Sequence, residues 1–100
     1  MIEQSENRLR VTQPMLIGNA SALLETGRGF LRAAADGASG AELVFDLSAV
    51  EETDSSALAV VFGLLRTARE RGLNLRVVHA PASMLSQAAL YGVADSLPLA

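Results

Sequence analysis

One hundred residues, half of them apolar but only 4% aromatic, predict one domain (1–100) built on an aliphatic core, with little chain left for a second. A net charge of −3, with all eight basic residues arginines and none of them clustered, argues against nucleic acid or an anionic membrane as the main partner. The absence of cysteine removes disulfides and thiolate metal sites and fits a cytosolic chain.

The segment Arg8-Leu9-Arg10-Val11-Thr12 alternates polar and apolar, as a half-buried edge strand does. Gln13-Pro14 interrupts it, and Met15-Leu16-Ile17 reads as a second, more buried strand, antiparallel to the first because the link is short. Gly18-Asn19 turns the chain into a helix over Ala20 to Ala35, with Asn19 as N-cap. Leu23, Leu24, Gly27, Phe30, Leu31 and Ala34 form its apolar face, Glu25, Arg28 and Arg32 face away, and Gly37 is the stop. Ala38-Ser39-Gly40 is then a loop. Leu43 to Leu47, broken only by Asp46, reads as a strand covered on both faces. After a second helix, Asn74 to His79 is the next strand. Ala80-Pro81 opens a short helix with Met84, Leu85, Ala88 and Tyr91 on its apolar face and Gly92 as its end. The tail from Val93 to Pro98 has no assignable pattern. This order predicts an α/β domain with a mixed, mostly parallel four-stranded sheet under three to four helices, joined by right-handed crossovers.

The chain is organised around Phe45 to Leu58, a strand, an acidic loop and the start of a helix running Ser55 to Arg71. Asp54, Ser55 and Ser56 supply the small oxygen-bearing side chains that satisfy free N–H groups at a helix start. Ala57, Leu58, Val61, Leu64, Leu65 and Ala68 form the core-facing side. At about 100° per residue, Ser55, Ser56, Ala59, Gly63, Arg66, Thr67 and Glu70 project to the opposite sector, with Val60 and Phe62 on its flanks. Its first turns carry almost no bulk, which reads as a docking surface headed by Ser55, with Asp54, Ser56, Ala59, Phe62, Gly63 and Arg66 as the other contact residues. The bland alternative is an ordinary solvent face behind a good N-cap.

Catalysis finds little support. His79 is the sole histidine, no lysine is present to activate Ser55 or Ser56, and Gly27-Arg28-Gly29 is not a phosphate loop. Asp46, Glu51, Glu52 and Asp54 lie close in sequence but lack the ordered spacing of a calcium loop, so a solvated acidic turn is the better reading. No metal and no cofactor is expected. The longest apolar run, Ala57 to Leu65, is too short to span a bilayer, which takes ~20 residues. Met1 to Glu6 lacks the basic and apolar regions of a signal peptide. The expectation is a cytoplasmic protein without direct membrane insertion.

Read from Asp46 to Leu58, the pattern D-L-S-x-V-x-x-x-D-S-S-A-L resembles the signature of the STAS family, the fold of anti-sigma-factor antagonists. That resemblance implies that Ser55, directly after the second Asp, is the regulatory phosphorylation site and that the helix it opens binds the partner. Ala57 departs from the glycine usual there. The ending L-Y-x-x-x-D-x-L-P, from Leu90 to Pro98, is similar to the MlaB-type branch of the family. It implies a non-enzymatic adaptor that binds the ATPase subunit of a bacterial phospholipid-trafficking ABC complex, peripheral to the inner membrane through that ATPase and its permease. The alternative implied by the wider family is a phospho-switched anti-sigma-factor antagonist whose partner is a serine kinase.

Overall fold

A computed structural model describes residues 1–37 and 41–99, so the loop expected at Ala38-Ser39-Gly40 lies outside the described residues. The elements are β1 (Ile2–Ser5), β2 (Arg8–Val11), α1 (Ala20–Gly37), β3 (Glu42–Asp46), α2 (Ser55–Glu70), β4 (Asn74–Val78), α3 (Ala82–Leu90) and a 3₁₀ turn, Ala94–Ser96. The four strands form one sheet in the order β1-β2-β3-β4, antiparallel at β1/β2 and parallel at β2/β3 and β3/β4.

The burial pattern places the core on one side of this sheet. Leu9, Val11, Leu43, Phe45, Leu75 and Val77 alternate inward and are buried. Arg8, Arg10, Glu42, Asn74 and Arg76 alternate outward and are exposed. A monotonic strand order with right-handed crossovers puts both crossover helices on the same face. The reading of β3 as covered on both faces is therefore corrected. Its outer side carries Asp46, held by Arg8 at 2.7 Å, with Arg76 on Glu42 at 2.8 Å alongside.

The N-terminal strands also need correction. The antiparallel partner of Arg8–Val11 is Ile2–Ser5, joined through a two-residue turn at Glu6-Asn7 with Glu6 at φ 56°, and not Met15–Ile17. Nor is Arg8–Val11 an edge; its alternation reflects a one-sided interior strand between β1 and β3. Met15 makes only an isolated parallel bridge to Thr53. Asn19 precedes α1 but turns its side chain back, accepting from the Leu16 N–H at 2.9 Å and donating to the Pro14 carbonyl at 2.6 Å.

The later helix ends follow the expected chemistry. Gly72 and Gly92 take left-handed φ of 70° and 71°. Each is followed by an N–H that reaches back to the helix, Leu73 to the Ala68 carbonyl at 2.8 Å and Val93 to the Ala88 carbonyl at 2.9 Å. On α3, Met84 and Ala88 are buried, whereas Leu85 and Tyr91, expected on the apolar face, are exposed. This helix packs on α2 and on the 3₁₀ turn that follows it, and its remaining side faces solvent. The unassigned tail returns to the sheet, where the Val77 N–H donates to the Pro98 carbonyl at 3.0 Å and Leu97 is buried.

Helices α1 and α2 pack side by side through reciprocal glycines. A Cβ built on Gly27 would stand 2.7 Å from Leu64 Cδ2, and one on Gly63 would stand 2.7 Å from Leu24 Cδ1. Arg28, expected to face away, lies against α2 and donates from Nε to Thr67 Oγ1 at 3.3 Å. Leu64 is almost fully buried and has nowhere to go, whereas Leu24 is half-buried. Gly27→Ala is therefore expected to lower stability by about 1–3 kcal/mol through overpacking. Gly63→Ala is expected to be near neutral, since Leu24 can swing outward and alanine gains about 1 kcal/mol of helix propensity. Urea unfolding of the two variants checks this; equal losses would mean that the two contacts are equivalent.

Candidate functional site

The loop between β3 and α2 is fixed before the helix begins. Val50 is buried and its N–H closes a turn onto the Leu47 carbonyl at 3.0 Å. The Met15 N–H donates to the Glu52 carbonyl at 2.9 Å and the Asp54 N–H to the Met15 carbonyl at 3.2 Å, so the segment after β2 clamps the loop. Thr53 and Ser83 share a hydrogen bond of 2.6 Å that ties the loop to the start of α3.

Asp54 is the N-cap of α2. Its Oδ1 accepts from the Ser56 N–H at 2.9 Å and from the Ser56 hydroxyl, and its Oδ2 accepts from the Ile17 N–H at 2.8 Å. The Ser56 hydroxyl foremost, then the Ile17 N–H, hold the Asp54 carboxyl below the usual carboxylate range despite some desolvation. One ionised side chain thus ties the helix start to the loop after β2. Ser55 is left exposed at the first position of the helix, on a rigid mount.

The expected docking strip is narrower than sequence spacing implied. Asp54, Ser55 and Ser56 lie together at the helix start, and Ala59 follows one turn on, exposed. Phe62 and Arg66 continue the line but lean away from α1, lining a hollow of about 400 Å³ with Arg69 and Val93. Gly63 is half-buried beneath Leu24, and Val60 and Thr67 are buried. The reason is that α2 is the middle helix of its layer, flanked by α1 on one side and α3 on the other. Only a stripe of spacing 55-59-62-66 stays open.

One candidate was missed in the sequence. Ile17 is 81% exposed, a large apolar side chain in water on a residue whose backbone N–H is bonded to the carboxylate of Asp54, one residue before Ser55. Its only signal was the run Met15-Leu16-Ile17, read as a buried strand. The other acidic residues do not gather here. Asp46 stands on the outer sheet face, where burial opposes ionisation but the Ser48 backbone and hydroxyl and the Arg8 guanidinium outweigh it and hold its carboxyl low. Among the described residues no group of three His, Cys, Asp or Glu side chains could hold a metal ion. His79 follows the end of β4, exposed and at φ 56°. No helix among the described residues is long and apolar enough to cross a membrane.

A one-sided mixed sheet under three helices, with a serine presented at the start of the middle helix, defines a small α/β domain of the STAS type. The chain belongs to the STAS domain family: the family described as "Mlab, STAS domain" matches residues 2–99. Domains of this family are in general binding and regulatory modules. Among curated proteins none matches in sequence. Among solved structures, an anti-sigma factor antagonist from Thermotoga maritima is similar at a TM-score of 0.74 and 17% identity, over 99% of this chain and 83% of that one. The murine anion transporter Slc26a9 is similar at 0.73 and 16% identity, over 92% of this chain but only 15% of the transporter. A sulfate transporter family protein from Wolinella succinogenes gives 0.63 and 12% identity, over 93% and 74%. At these identities the likeness is one of fold.

Proposed function

We propose that this chain is a non-enzymatic adaptor that binds and supports the ATPase subunit of a bacterial phospholipid-transporting ABC complex. The observation that carries the reading is the match of nearly the whole chain to the Mlab-type STAS family. The docking surface is the start of α2, where Ser55 and Ala59 stand exposed and the exposed Ile17 is tethered through its N–H to Asp54. In this reading the protein sits on the cytoplasmic side of the inner membrane, held there by the ATPase and its permease.

A second reading is favoured by the fold match to an anti-sigma factor antagonist over 83% of that chain. In it, phosphorylation of Ser55 releases an anti-sigma factor with serine-kinase activity. The local geometry supports a disruptive effect of phosphate. The Asp54 carboxylate already takes the Ser56 N–H, so an anion on Ser55 finds that N–H at the helix start occupied. Asp54 beside it and the exposed Glu51 and Glu52 repel it.

Affinity capture on the immobilised chain separates the two. An ABC ATPase identified by mass spectrometry, retained by wild type and lost with Ser55→Asp, is the expected result. Capture of a sigma-control kinase with the same dependence would replace the first reading by the second.

A further inference from the structure

At its far end α2 carries a different feature. Together with the edge of β4 it walls an open groove of about 580 Å³, whose lining includes Arg69, Leu75, Arg76, Ser96 and Pro98. The adjoining hollow of about 400 Å³ shares Arg69 and Ser96 and adds Arg66. From Ser55 to Arg69 the helix rises roughly 20 Å, so this groove lies well beyond the Ser55 end of the docking surface and meets that surface only through the hollow at Arg66.

The first observation is an incompletely paired strand edge. β4 is the last strand of the sheet. The Asn74 N–H donates to the Ala41 carbonyl and the Val78 carbonyl accepts from Leu47, so Asn74, Arg76 and Val78 direct their backbone groups to β3. Leu75 and Val77 direct theirs outward. The tail closes this edge only at Val77, whose N–H is bonded to Pro98 and which bridges Leu99. Leu75 has no outward backbone partner among the described residues. Leu75 lines the groove, and its unpartnered N–H and C=O are the template for an added strand.

The second observation is charge. In a chain of net charge −3, Arg69 on the groove wall and Arg66 in the adjoining hollow are exposed, and neither is paired to a carboxylate among the described residues. The helix C-terminus accounts for a preference for one cation in its last turn. It does not account for Arg66 or for the open strand edge. Arg76 and Glu42 both line the groove where it meets the outer sheet face and pair at 2.8 Å with both side chains 57% exposed, so a competing carboxylate can take the place of Glu42.

We propose that the groove binds an extended peptide segment with carboxylates at alternate positions, which adds as a strand at Leu75. Period-2 alternation sends one set of its side chains toward α2, where carboxylates meet Arg66 and Arg69. The backbone supplies the partners that Leu75 lacks. A membrane surface is the poorer match, because a flat sheet of headgroups cannot pair with a recessed strand edge.

The test uses the intact protein and a fluorescein-labelled nine-residue peptide alternating Thr and Glu. Anisotropy should show binding that weakens at least tenfold in the double variant Arg66→Glu/Arg69→Glu. It should weaken comparably when the peptide is N-methylated at two adjacent central residues, which blocks strand pairing in either register. Hydrogen exchange of the Leu75 amide should slow at least tenfold on binding, while that of Val77, already bonded, stays unchanged. No binding to wild type, binding indifferent to N-methylation, or an unaltered Leu75 amide overturns the proposal. So does arginine-dependent binding of phosphatidylglycerol vesicles without binding of the peptide.

Discussion

Val61→Asp is expected to unfold the domain. Val61 is 0% exposed on the sheet-facing side of α2, within the cluster that includes Phe45, Leu64 and Val77. The substitution removes about 1–2 kcal/mol of apolar burial. It also places a carboxylate in a site with no partner, which costs several kcal/mol more or forces the group to take up a proton. Against a total stability of roughly 5–15 kcal/mol for a domain of this kind, the sum removes most or all of the margin. Thermal unfolding followed by circular dichroism checks it. A soluble Val61→Asp protein with a near-normal transition would mean that α2 does not rest on the sheet through this face.

Ala59→Arg carries the other large effect, on binding and not on folding. Ala59 is exposed one turn after Ser55, so an arginine there projects into solvent in the free domain and obstructs a partner that approaches α2 closely. Ser55→Asp acts through charge. It adds a carboxylate beside Asp54 and near Glu51 and Glu52, and an unpaired charge at a desolvated interface costs on the order of 2–5 kcal/mol. That corresponds to roughly 30-fold to several thousand-fold in affinity. Ser55→Ala should be mild, about 0.5–1.5 kcal/mol for one hydrogen bond at the interface, since Asp54 and not Ser55 caps the helix. The expected order of affinity for the captured ATPase is wild type, then Ser55→Ala, then Ala59→Arg and Ser55→Asp together. All four should give the same circular dichroism spectrum. Gly63 is unsuitable for this series because bulk there displaces Leu24 before it meets any partner.

The side of α2 that rests on the sheet was legible in the sequence because 3.6-residue spacing depends only on the helix itself. The width of its solvent stripe was not, because that depends on neighbours. Thr67 and Val60 are polar and apolar respectively, yet both are buried on the α2 side that includes the Gly63–Leu24 contact with α1. Leu65, assigned to the core face, is only part-buried and borders the β4 groove. β1 was illegible for a different reason. Glu3, Gln4 and Ser5 carry no strand signal and are ordered by pairing across the Glu6-Asn7 turn. Asp46, with Glu42 at the other end of β3, signalled an uncovered face, and its pairing with Arg8 supplies the physical reason a carboxylate is tolerated there. At the site, Asp54 and Ser55 followed from helix-start chemistry. Ile17 did not, because what exposes it is the Met15 clamp on the β3–α2 loop, a contact between segments 37 residues apart.

The central claim is that the partner docks on the start of α2, and amide chemical-shift mapping of the labelled chain with the captured ATPase tests it most directly. The expected perturbations centre on Ile17, Ser55 and Ala59 and fade along the helix, leaving Arg10, Val44 and Arg76 on the outer sheet face unmoved. Perturbations confined to that outer face, with Ser55 and Ala59 unchanged, would contradict it.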